Sequence, residues 1–159
     1  MSNELLITYL NNHLAGSVAA LQLLDRLVED ATSPEARQFF TTLHHDVTED
    51  QQVLKELLQR VGGTESQLRK ASAWLAEKLG EVKLRLDDVA AGELRHLEML
   101  EALALGIQGK LGLWLALEAV SAQVAAVQSL DLIRLQQRAH DQHAQVESRR
   151  LLAARTAFR

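Results

Sequence analysis

Near the end of the chain, the stretch RAHDQHAQVESRR (residues 138–150) carries His140, His143 and Glu147. These residues are three and then four positions apart, so a helix would place all three on one side. Imidazole nitrogen and carboxylate oxygen together are suitable ligands for iron, manganese or zinc. Whether they can act as ligands depends on the helices that position them and on whether that side faces the interior.

The composition indicates which elements can hold these residues. The chain has 159 residues, with one proline, eight glycines and 4% aromatic residues. Such a chain suits one domain over residues 1–159, and too few turn-forming residues are present for a sandwich or barrel. We therefore predict an all-α domain with a core of leucine, alanine and valine.

Charge, cysteine content and hydropathy argue against several classes of protein. The net charge is −4 and no basic run stands out, so no nucleic acid partner is expected. Zero cysteines exclude disulfides, thiolate zinc sites and cysteine catalysis, which fits a cytoplasmic protein. No positive charge precedes the first apolar stretch, and Gln108 and Lys110 interrupt the longest one, so neither a signal peptide nor a membrane partner is expected.

Four long helices are predicted from the spacing of apolar residues and from signals at the helix ends. Ser33 and Pro34 mark the beginning of the second helix, and Gly62 and Gly63 mark its end. The predicted ranges are about 3–30, 34–61, 87 or 88 to 120, and 129–131 to about 158.

The connections between these helices predict the topology. Residues 62–88, about 27 in number, contain a short predicted helix from Thr64 to Gly80. A hairpin needs only a few residues, so this segment should cross the length of the domain and make the second and third helices parallel. The two short connections should form antiparallel hairpins, which gives a four-helix bundle with one long crossover.

Helical periodicity assigns polar residues of the first two helices to the inside or the outside. His13 falls in the middle of the apolar side of the first helix. In the second helix Asp50 points into the centre and Asp46 lies at the edge, whereas His45 and Glu49 point outward.

The last two helices complete this pattern. The third helix is apolar nearly all round over residues 99–117, so it should be the most buried, with Glu101 on an inward line. The fourth helix is predicted to expose Arg138 on one side. Its opposite, inward side is predicted to hold Ile133, Ala144, Leu151 and Ala154, together with Gln136, His140, His143 and Glu147.

The inward polar residues should converge on one layer of the bundle. Equal distances from the hairpin turns pair His13 with Asp50, and Glu101 with Glu147. Buried carboxylates need cations, protons or a metal. Two interpretations stay open: a divalent iron, manganese or zinc ion, or a metal-free network in which a base such as Arg150 neutralises the carboxylates. The candidate residues are His13, Asp46, Asp50, Glu101, His140, His143 and Glu147.

The stretch GIQGKLG (106–112) superficially looks like a phosphate-binding loop, but it lacks the required spacing and the following serine or threonine. It lies within a helical pattern. We therefore expect Gly106, Gly109 and Gly112 to permit close helix packing.

Three stretches resemble the ferritin-like superfamily, and more narrowly an uncharacterised bacterial branch of it: HLAGSVAALQLLDRL (13–27), AWLAEKLGEVKLRL (73–86) and LEALALGIQGKLGLWLAL (100–117). The resemblance implies a ferritin-like four-helix bundle over nearly the whole chain. In iron-binding members it also implies glutamate on the first and third helices and Glu-x-x-His on the second and fourth.

This chain departs from that metal pattern. His13 stands in place of the first glutamate, and Asp46 or Asp50 in place of the second helix's pair. Glu101 matches the third helix, and the two histidines with Glu147 replace the last pair. The departures leave room for one metal ion or for none and argue against ferroxidase or oxygenase activity.

Two functional hypotheses follow from these observations. The first is a metal-binding ferritin-like protein, involved in stress or metal handling. The second is a non-enzymatic helical module whose polar layer is structural and whose role is interaction or assembly. The apolar positions all round the third helix favour a homodimer.

Overall fold

The computed structural model describes residues 3–64 and 92–159, together with 66–67, 69–70, 73–74, 76–77 and 80. Within these residues the chain forms four long helices and no strand, which confirms the all-α prediction for this part of the chain. The helices are α1 (Glu4–Asp30), α2 (Pro34–Arg60), α3 (Gly92–Ala119) and α4 (Leu132–Ala157), and a short 3-10 turn covers Ala125–Val127.

The ends of α2 follow local signals in the sequence. The Ser33 hydroxyl accepts a hydrogen bond from the backbone N–H of Ala36 at 3.0 Å, and Pro34 occupies the first turn. At the other end Gly62 has a φ of +92°, and the N–H of Gly63 donates to the carbonyl of Leu58 at 2.8 Å. This left-handed glycine closes the helix by satisfying carbonyls that would otherwise lack donors.

Two clusters of buried apolar residues show the direction of each helix. One cluster combines the first half of α1 with the second halves of α2 and α3 and the first half of α4. The other combines the opposite halves. Therefore α1–α2 and α3–α4 are antiparallel pairs, whereas α2 and α3 run parallel, as predicted. The predicted crossover over 62–88, with its short helix, lies largely outside the described residues.

The inward side of α4 differs from the prediction. The buried line runs through Ala139, Gln142 and Val146, which lie one position before His140, His143 and Glu147. Ile133 is 76% exposed and His140 is exposed, so the predicted face was rotated by about 100°. The helix has few apolar residues at its middle, and the core accepts a small alanine and a paired glutamine there instead.

Helix α3 has more buried residues than any other described helix, as predicted, but one side of it is open. Leu105 is 73% exposed and Leu115 is 46% exposed. By length and composition α3 could also cross a membrane, since it contains a window with a mean hydropathy of 1.3. Many of the residues in that window pack inside the bundle, and a buried core helix can have the same length and mean hydropathy as a membrane-spanning helix.

Candidate functional site

The seven predicted residues do not form one layer. Asp46 and Asp50 lie with basic residues between α2 and α4, and Glu101, His143 and Glu147 line a surface groove between α3 and α4. His13 lines a separate cavity, together with Asp50. The predicted inward orientation is wrong for His140 and Glu101, since both residues are exposed.

Asp50 is the most buried carboxylate of the candidate set, with 4% of the residue exposed. Lys110 on α3 donates from Nζ to Asp50 Oδ2 at 2.6 Å and also to Gln142 Oε1. Gln142 Nε2 lies 3.5 Å from the same Asp50 oxygen, and Arg138 Nε lies 3.5 Å from Oδ1. Both oxygens of this buried carboxylate therefore face cations, which offsets the cost of its burial.

Arg138 extends the network from Asp50 to the surface. Its Nη2 donates to the backbone carbonyl of Asp46 at 2.8 Å and to Glu49 Oε2 at 2.7 Å. The same atom lies 3.2 Å from Asp46 Oδ1. Hydrogen bonding from Arg138 holds the pKa of the exposed Glu49 below its ordinary value. One guanidinium thus joins α4 to three acidic residues of α2.

Sequence reasoning missed the two cations that matter most at this site. Lys110 entered the prediction only as an interruption of an apolar run, and Arg138 was placed on the exposed side of its helix. A signal for Lys110 was present, because a lysine in the middle of a buried helix needs an opposite charge nearby. Burial lowers the pKa of the Lys110 ammonium, and the charge of Asp50 opposes that shift.

The groove between α3 and α4 is organised around Arg150. This side chain makes two hydrogen bonds to the carboxylate of Glu147, at 2.7 and 2.6 Å, and a third to Glu101 at 3.1 Å. These bonds hold the pKa of Glu147 below its ordinary value. The expected pairing of Glu101 with Glu147 is therefore mediated by a base, as the metal-free interpretation anticipates.

A further group of metal-ligand types lies on the surface of α2. One atom each from His45, Asp46 and Glu49 falls within 4.8 Å of the others. His45 and Glu49 are exposed, as predicted. Arg138 already contacts both acidic members, so a metal ion here would compete with a guanidinium for the same oxygens.

On its other side, the Asp50–Lys110 pair borders a cavity of about 190 Å³ between α1, α2 and α3. His13 lines this cavity, and burial lowers the pKa of its imidazole. Trp114 also lines it, and the buried Nε1–H of that indole has no hydrogen-bond partner among the described residues.

The glycines of α3 do not pack closely against a neighbouring helix, so that prediction is wrong. A Cβ added at Gly106, Gly109 or Gly112 would meet no atom of another element within 4 Å. All three are exposed. Gly106 and Gly109 border the cavity instead, together with Gly16 of α1.

Comparison with protein family models, with curated proteins and with solved structures finds no match for this chain. Membership of the ferritin-like superfamily, with the bacterial branch that the sequence resembles, therefore stays a prediction.

Proposed function

We propose that the protein is a non-catalytic helical module that acts by self-association, and that its own basic side chains, rather than a metal ion, neutralise its interior carboxylates. The contact between Lys110 Nζ and Asp50, at 2.6 Å, carries the metal-free part of this proposal, and the exposed Leu105 and Leu115 of α3 carry the self-association. The ammonium occupies the position at which a metal ion would meet the most buried carboxylate of the predicted layer.

The remaining candidate carboxylates support the same conclusion. Arg138 contacts Asp46, and Arg150 joins Glu101 to Glu147. A metal ion would have to displace these bases and leave them near its own positive charge. Within the described residues, the four candidate carboxylates thus belong to two groups of ion pairs, one that joins α2 to α3 and α4 and one that joins α3 to α4.

Metal binding is the second candidate function, and the group of His45, Asp46 and Glu49 favours it. Their atoms are close enough to share one ion, and imidazole with two carboxylates suits iron, manganese or zinc. For this site to fill, the Arg138 guanidinium must swing away from both acidic residues.

Melting curves in the presence of Mn²⁺, Fe²⁺ or Zn²⁺ separate the two candidates. An ion present at one hundred times its Kd would stabilise the folded state by about 2.7 kcal/mol, or about 5–10 °C for a domain of this size. We expect no such shift. A shift that is lost in His45→Ala or His143→Ala, but kept in the control His140→Ala, would establish a metal site and contradict the proposal.

The partner that best fits the open side of α3 is a second copy of the chain. Leu105 and Leu115 lie five residues before and five residues after Lys110, on the exposed side of the helix. Antiparallel pairing about a two-fold axis near residue 110 would set Leu105 of each copy against Leu115 of the other. Such a self-complementary pattern is what a two-fold homodimer requires.

Light scattering after size-exclusion chromatography tests this association. We expect a dimer for the unmodified chain and a monomer for Leu115→Glu. Leu151→Glu on α4 is the matched control, because Leu151 is 47% exposed and Leu115 is 46% exposed. A monomeric unmodified chain, or equal loss of the dimer in both variants, would overturn the assignment of α3 as the interface.

A further inference from the structure

The cavity between α1, α2 and α3 combines apolar walls and paired charges with one polar side chain that has no hydrogen-bond partner among the described residues. We propose that it binds a small neutral molecule with one apolar ring and one hydroxyl group, such as a phenol, and that His13 makes the hydrogen bond to that hydroxyl. This inference goes beyond self-association, because the residues that carry it line a cavity within one chain.

His13 lies on the wall that α1 gives to the cavity, four residues before Ser17 of the same wall. Among the described residues its imidazole contacts the Tyr9 ring, at 4.7 Å between centroids, and has no hydrogen-bond partner. The nitrogens of His13 are not among the fully buried atoms that lack a partner, whereas Trp114 Nε1 is. The imidazole nitrogens therefore keep accessible surface, on a residue that lines the cavity.

The protonation state of His13 suits a hydroxyl. Burial lowers the pKa of this imidazole below its ordinary value of 6.5, so the ring is neutral at neutral pH. A neutral imidazole carries one N–H donor and one nitrogen acceptor. A phenolic O–H can donate to that acceptor, which a carboxylate or an ammonium-free hydrocarbon cannot do.

The charged side chains of the lining are paired with each other, and so are two of its polar side chains. Lys110 Nζ donates to Asp50 Oδ2 at 2.6 Å, and Gln51 Nε2 donates to the Ser17 hydroxyl at 2.9 Å. Among the described residues of the lining there is no further charge. A charged ligand would therefore lose its hydration without meeting a free opposite charge, which favours a neutral one.

The size and the walls of the cavity define the body of the ligand. The volume is about 190 Å³. An apolar cavity of about 150 Å³ accommodates benzene. Val47, Leu54, Ile107 and Leu113 contribute apolar side chains to the lining. One six-membered ring with a hydroxyl group therefore fits, whereas a nucleotide does not.

Three exposed glycines, Gly16, Gly106 and Gly109, lie along the border of the cavity on α1 and α3. A Cβ added at any of them would meet no atom of another element within 4 Å. These three positions thus place no side chain in the way of a ligand.

The test is calorimetric titration of the full chain at neutral pH with phenol, benzoate and benzylamine, which share a ring and differ in charge. We expect saturable 1:1 binding of phenol, with the two charged probes weaker by about tenfold or more. Absence of phenol binding would overturn the proposal. Benzoate or benzylamine binding as tightly as phenol would show that the cavity accepts a charge, and would overturn it too.

A conservative variant tests the hydrogen bond. His13→Phe keeps an aromatic ring but removes both nitrogens, so phenol should bind about tenfold more weakly. Toluene, which has the shape of phenol without its hydroxyl, is the matched control probe, and its affinity should stay within about twofold. Equal losses for the two probes would show that the variant alters the cavity rather than one bond, and unchanged phenol affinity would show that His13 makes no bond. Either result contradicts the role assigned to His13.

A second pair of variants locates the binding. Gly109→Leu adds a side chain at the border of the cavity and should weaken phenol by about tenfold or more. Gly112→Leu is the matched control, because Gly112 is an exposed glycine of the same helix that does not line the cavity. Phenol should bind Gly112→Leu within about twofold of the unmodified chain. Equal loss in both variants would place the ligand on the outer surface of α3 and overturn the proposal.

Discussion

At the scale of single residues, the interior of this bundle depends on the pairing of Lys110 with Asp50. Lys110→Met leaves a buried carboxylate with one cation fewer, so we expect the free energy of unfolding to fall by about 3–5 kcal/mol. The double variant Lys110→Met/Asp50→Asn removes both charges and should lose less than the sum of the single variants. Urea denaturation of all four proteins measures the difference. If the loss of unfolding free energy in the double variant equals the sum of the two single losses, Lys110 and Asp50 do not stabilise each other.

His13 gives a second prediction at this scale, in the pH dependence of stability. Burial lowers the pKa of its imidazole below the ordinary value of 6.5. The unfolded chain then binds the proton more readily, so the contribution of His13 is fully present above pH 6.5 and is lost as the pH falls through the lowered pKa of the folded state.

Melting temperatures between pH 7.5 and pH 5 check this expectation. His13→Gln should lose less stability over that range than the unmodified chain does. Burial also lowers the pKa of His96, so His96 contributes to the pH dependence of stability in the same direction. The melting temperatures of His96→Gln over the same pH range measure that contribution. If the melting temperature of His13→Gln falls as steeply with pH as that of the unmodified chain, the attribution of this pH dependence to His13 is contradicted.

At the scale of the helices, the sequence predicted the ends better than the faces. Ser33, Pro34 and Gly62 act on backbone groups only a few residues away, so their effect can be inferred locally. The face of α4 depends on partners far along the chain. Ile133 suggested one orientation but is exposed, whereas Gln142 faces inward and hydrogen-bonds Lys110 and Asp50, two partners that local periodicity does not reveal. The rest of the buried line is apolar at helical spacing, through Leu132, Leu135, Ala139, Val146 and Ala153, so the predicted face was one position away from a line that the sequence does contain.

Alanine substitutions at two glycines should change the stability of the protein in opposite directions. Gly62 has a φ of +92°, which an L-residue adopts only with strain, so Gly62→Ala should destabilise the protein by about 1 kcal/mol. Gly112 lies inside a helix with open space beside it, so Gly112→Ala should stabilise by about 0.5–1 kcal/mol. Thermal unfolding of both variants measures these two changes in stability. Destabilisation by Gly112→Ala would indicate that the outer side of α3 is covered.

At the scale of the whole molecule, two results of the structure are connected. The carboxylates of the predicted layer lie in two groups because α3 exposes Glu101 and Leu105 while it turns Lys110 towards Asp50. The same orientation leaves an apolar side of α3 without a neighbour among the described residues. The fold class and helix directions could be predicted from periodicity and connection lengths. The open side could not, since a helix that is apolar all round gives no indication of which side is covered.

Self-association through that open side predicts that stability depends on protein concentration. Only the folded chain presents Leu105 and Leu115 together, so dimer formation stabilises the folded state by mass action. We expect the melting temperature of the unmodified chain to rise over a hundredfold increase in concentration by a few degrees. Leu115→Glu should melt at one temperature throughout that range, because its monomer has no partner to gain. Leu151→Glu should retain the dependence, and a melting temperature of the unmodified chain that does not change with concentration would show that the exposed leucines of α3 are not an interface between copies.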